Sequence, residues 1–83
     1  MNDFLKLIQL ITIEAEKLKR EDGNKFYTTN NIHNAIIKFT PKIARLEEKK
    51  YDCYRQKLIS AIKSNLNIED IIKNILVNTY KNC

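Results

Sequence analysis

Residues 2–20 read NDFLKLIQLITIEAEKLKR. Phe4, Leu7, Ile8, Ile11, Ala15 and Leu18 recur at three- and four-residue intervals, the spacing that stacks side chains on one face of an α-helix. Lys6, Glu16, Lys17 and Arg20 fall largely opposite. Leu5, Leu10 and Ile13 lie off the stripe, so the apolar surface is wider than one neighbouring helix covers. This helix is expected either to be buried on two sides or to meet a partner on one. It should end near REDGN, where Gly23 can take a positive φ at little steric cost.

The same periodicity runs through the rest of the chain. After NKFYTT, a Thr28 or Thr29 hydroxyl can cap a short helix through NNIHNAIIKF that turns Ile32, Ala35, Ile36 and Phe39 inward. Thr40 before Pro41 reads as an N-cap followed by proline at the first helical position, where its missing N–H is harmless. A third and longest helix is expected from Pro41 to about Asn65. Ile43, Tyr54, Leu58, Ala61 and Ile62 share its broad face, with Ala44 and Tyr51 at the margin. Asn67 is the next cap, with Glu69 and Asp70 favourably placed against the helix dipole. The last helix carries Ile68, Ile71, Ile72, Ile75 and Leu76, with Tyr80 beside them. Only Asn65 to Asn67 separates it from the third, so these two should form a hairpin.

The expected fold is therefore all-α: a small bundle of about four helices, three long and one short, forming a single helical domain over residues 1–83. One Gly and one Pro leave little turn chemistry for β-hairpins. A chain this short hides only about 60% of its unfolded surface, so close helix packing or association with another chain must supply stability.

Cys53 and Cys83 lie thirty residues apart and show no zinc-binding spacing, so no metal site is expected. No run approaches the roughly 18–20 apolar residues of a membrane span. No basic leader precedes a clean apolar stretch either, because Asp3, Lys6 and Gln9 interrupt the N-terminal segment. These features read first as a soluble, cytoplasmic protein with free thiols, and second as a secreted one with a disulfide.

The inventory for catalysis is poor, and no catalytic or cofactor-binding residue is expected. His33 is the only histidine and has Asn30, Asn31 and Asn34 as its neighbours, with no orienting carboxylate beside it. It flanks the Ile32/Ile36 stripe and should sit partly exposed at the core margin. Cys53 fits the edge of an apolar face as a small hydrophobe. A His33–Cys53 nucleophile pair would have to be made by the fold, since nothing along the chain supports it. A phosphate-cradling glycine loop is impossible with one glycine.

Charge is more informative. Between Lys38 and Lys57 seven bases face three acids, which accounts for four of the five net positive charges. Lys42, Arg45, Lys49 and Lys63 would lie near one line of a continuous third helix, opposite its apolar face. That line, with Tyr51 and Tyr54 as aromatic anchors, is the candidate partner-binding surface. The counterpart is expected to be another protein or a second copy of the chain. The alternative is a small basic nucleic-acid-binding protein gripping phosphates through the third helix. Asp52, Glu48 and Gln56 interrupt the line, however, and the turn before it lacks the glycine common in helix-turn-helix motifs.

In size, charge and helix count the chain resembles the small immunity proteins of bacteriocin producers and short phage-encoded inhibitors. That resemblance implies a non-enzymatic adaptor or inhibitor working through a helical surface, and it carries over no individual residue.

Overall fold

α1 (Asn2–Glu21) is the helix of the opening stripe, and its C-terminus is closed as the sequence demands. Gly23 takes φ +71. Its N–H donates to the Arg20 carbonyl at 3.0 Å while the Asn24 N–H reaches back to the Lys19 carbonyl at 3.1 Å. Both orphan carbonyls of a Schellman turn are thus satisfied. The computed structural model describes residues 2–40, 46–64 and 66–82, with side chains described over 3–40, 46–64 and 66–78. Its other helices are α2 (Thr29–Phe39), α3 (Glu48–Lys63) and α4 (Ile68–Asn82), and the described residues contain no strand.

The joint between α1 and α2 is polar and reciprocal. Thr28 caps α2 by accepting from the Asn31 N–H at 3.1 Å, and the Asn31 side-chain oxygen accepts from the Thr28 N–H at 3.0 Å. This is a capping box with Asn in the place usually held by Glu or Gln. Asn31 is buried, and its amide also donates to Asp22 at 2.7 Å, tying the helix start to the end of α1. Lys38 adds a 2.9 Å ion pair from the far end of α2 to Glu14 on α1.

All four helices contribute to one apolar cluster. α1 supplies Ile8, Ile11 and Ala15; α2 supplies Ile32, Ala35 and Ile36. Tyr54 and Leu58 enter from α3, and Ile71, Ile72, Ile75 and Leu76 from α4. α1 packs on α2 and α4, and α3 pairs with α4 as the short connection requires. Asn67 caps α4 by accepting from the Asp70 N–H at 2.8 Å. The side chain of Tyr80 lies outside the described residues.

The third helix departs from expectation. Thr40 does not open it; with φ −137 and ψ 72 it closes α2, its N–H donating to the Ile36 carbonyl. A residue before proline is kept out of the helical region, which ends the preceding helix there. Pro41 to Arg45, and with them Ile43 and Ala44, lie outside the described residues. Leu46 and Glu47 are not helical, and α3 begins only at Glu48. Packing supplies a reason. Twelve residues of continuous helix would set Leu46 roughly 120° away from Leu58, whereas the break lets Leu46 pack against the core. The proposed line from Lys42 through Arg45 and Lys49 to Lys63 therefore does not run along one continuous helix.

Candidate functional site

Two places stand out, one inside the bundle and one on its surface. The inner one lies between α2 and α3. His33 Nδ1 is 3.3 Å from the Tyr54 hydroxyl, and the Tyr51 hydroxyl is 3.2 Å from His33 Nε2. The imidazole meets Tyr51 edge-on, with centroids 5.4 Å apart and planes at 78°, and the Tyr54 ring at the same separation and 54°. His33 is 7% exposed and Tyr54 0%. Burial, and after it the positive Arg55, holds the His33 pKa below its ordinary 6.5. A neutral imidazole has one donor and one acceptor nitrogen, so one phenol donates to it and the other accepts.

This arrangement corrects two expectations. His33 is not at a half-exposed margin, because the phenols of α3 close over it. Tyr54 is a core group and is not presented to a partner; Tyr51 is half-buried against the same imidazole. The sequence signal for the cluster was the three-residue spacing of the tyrosines on α3. Nothing along the chain pointed to the histidine that they meet. With both ring nitrogens occupied by phenols, the imidazole is built as a core connector. Cys53 is disulfide-bonded, so it is neither the expected free thiol nor a thiolate for His33 to activate. Among the described residues no group of three or more His, Cys, Asp or Glu side chains could hold a metal ion.

Of the other partner-binding candidates, Lys49 is exposed in the first turn of α3. Lys42 and Arg45 lie outside the described residues. The structure thus gathers Tyr51 and Tyr54 around His33, while Lys49 stands exposed on the surface.

The outer place is the face of α1 turned away from the core. Leu5, Leu10 and Ile13 are 57%, 47% and 67% exposed, so no neighbouring helix covers them. Lys6, Gln9, Lys17 and Arg20 are exposed around them. Beside Ile13 an open groove of about 530 Å³ is lined by Thr12, Glu16, Lys17, Arg20, Glu21 and Tyr27. Its wall is tied together by Glu16, which accepts from the Tyr27 hydroxyl and pairs with Lys19 at 3.4 Å and Arg20 at 3.3 Å. The Tyr27 bond, first among these contacts, lowers the Glu16 pKa. Burial and then the same bond push Tyr27 up to about 12. The Lys19 ammonium also sits 4.6 Å from the Tyr27 ring centroid. Past the end of α1, Phe26 stands 81% exposed.

Among the described residues no helix is long and apolar enough to cross a membrane. No family model matches the chain, and no curated protein and no solved structure is significantly similar to it.

Proposed function

We propose that the chain is a non-enzymatic protein-binding module, an adaptor or small inhibitor, that acts through the outward face of α1. The observation that carries this reading is the exposure of Leu10 and Ile13, three residues apart on the side of α1 opposite the filled core. Single exposed aliphatics are ordinary on protein surfaces. Leu10 and Ile13, however, are neighbours one turn apart on the same side of α1, and an open groove lies beside Ile13.

The sequence had favoured the start of α3 instead. Lys49 and the open edge of Tyr51 remain as a second, smaller surface there. A disulfide at Cys53 favours an oxidising compartment over the cytoplasmic one expected from the sequence.

The test is capture from native cells with the tagged chain, compared with Leu10→Glu/Ile13→Glu and with Lys49→Glu. A stoichiometric protein retained by the parent chain and by Lys49→Glu, but lost from the α1 variant, is the expected result. Loss with Lys49→Glu alone would return the site to α3. Nuclease-sensitive recovery of nucleic acid would replace the reading altogether.

A further inference from the structure

The outward face of α1 has an order of charges that selects its occupant. Lys6, Leu10, Ile13 and Lys17 follow one another at intervals of four, three and four residues, with Arg20 three further on. That is the spacing of a seam along one side of a helix. Its two aliphatics are central and its ends are cationic. The end lysines stand roughly 16 Å apart along the axis, at about 1.5 Å of rise per residue. Neither Lys6 nor Lys17 has a carboxylate within 4 Å among the described residues, whereas Glu14 and Glu16 are committed to Lys38 and to Lys19, Arg20 and Tyr27.

We infer that this seam receives an acidic amphipathic helix of a partner protein, one that places two aliphatic side chains between carboxylates about eleven residues apart. The inference rests on the protein-binding reading above and adds the chemistry of the partner. A second copy of the chain fits badly. An antiparallel pairing that opposes Leu10 to Ile13 sets Lys6 against Lys17 of the other copy, and a parallel pairing sets each lysine against itself. Like charges in both registers disfavour self-association. A lipid surface fits badly too, because the apolar stripe is one or two side chains wide and Gln9 and Glu16 border it, where an interfacial helix needs a broad apolar face. Acidic groups flanking two aliphatics satisfy the lysines and cover Leu10 and Ile13 at once.

The experiment uses the full chain and synthetic helical peptides on an alanine-rich background carrying Glu-x3-Leu-x2-Ile-x3-Glu, read by fluorescence anisotropy. The controls carry Lys in place of both Glu, or Ser in place of Leu and Ile. The acidic peptide should bind about tenfold or more tightly than either control. Lys6→Glu/Lys17→Glu should reverse the preference toward the Lys-flanked peptide, and Lys6→Ala/Lys17→Ala should abolish it. Both pairs sit at exposed positions, and helicity by circular dichroism confirms that each variant folds. Equal binding of acidic and basic peptides, or none, would overturn the inference. So would a dimer in sedimentation equilibrium that Ile13→Glu dissolves, or binding to phosphatidylserine vesicles through the same residues. If cellular capture depends on Leu10 and Ile13 but not on the lysines, the protein-binding reading stands and the acidic-helix inference alone falls.

Discussion

Replacing Tyr54 by Phe removes one oxygen from the centre of the bundle and leaves the shape of the core nearly unchanged. The lost hydroxyl stands 3.3 Å from His33 Nδ1, and Tyr54 is fully buried, so water cannot take its place at that nitrogen. Leaving a buried ring nitrogen without its partner costs about 1–3 kcal/mol. In a domain of this size each kcal/mol moves Tm by about 4–8 °C, so the variant should melt roughly 5–20 °C lower. Tyr51→Phe is the internal control. Its hydroxyl serves the other ring nitrogen from a half-exposed position, where solvent can substitute, and the cost should stay under about 1 kcal/mol. The measurement is urea and thermal unfolding followed by circular dichroism at about pH 8, where the imidazole is neutral. Unchanged m values would show that the same surface is exposed in all three proteins. A Tyr54→Phe protein within about 0.5 kcal/mol of the parent, or one more stable than Tyr51→Phe, would refute the idea that the core depends on this imidazole.

Three other outcomes are expected. The His33 pKa is lowered in the fold, so the unfolded chain binds more protons as pH falls below 6.5. Stability should then be full above 6.5 and decline below it, toward the lowered folded value. A His33→Asn protein should lose this part of the slope of Tm against pH; an unaltered slope would assign it to other groups. Tyr27, pushed up to about 12, should ionise well above an ordinary phenol in a spectrophotometric titration. Stability tied to its proton should be present below pH 10 and vanish as pH rises from 10 toward 12, and Glu16→Gln should bring its ionisation down. Gly23→Ala meets no atom within 4 Å of the added Cβ, so its penalty is purely conformational. At φ +71 it should cost about 1 kcal/mol or slightly more, with Gly23→Asn milder; equal stability of the Ala variant would contradict the left-handed cap.

The parts legible in the sequence were those set by local rules. The stripe of α1 from Leu7 to Leu18, the Thr28 cap, the Gly23 stop and the Asn67 cap each depend on residues within a few positions of one another, and periodicity or capping chemistry reports them directly, although Phe4 at the head of the stripe stays exposed. The surplus of Leu5, Leu10 and Ile13 was legible for the same reason, since a helix has only one perimeter to share. Whether that surplus would be covered depended on how four helices close, and no local pattern states it. The break before α3 was hidden because Thr-Pro serves equally as the end of one helix and the start of the next. Its resolution lay in Leu46 reaching the core, a contact made across the chain. His33 was misjudged on the same ground: seen on α2 alone it borders the stripe, and only the two phenols of α3 enclose it.

The turn between α1 and α2 is assembled from groups that lie between Leu18 and Ile32, through the Schellman bonds, the capping box and the Asn31–Asp22 bond. In a chain growing from its N-terminus, every atom of that joint exists before the second half has been made. His33 is the exception within this self-sufficient half. Its imidazole lies on α2, but both of its partners come eighteen or more residues later. The first hairpin can set its own angle early, while its one buried titratable group must wait, solvated, for α3 to arrive.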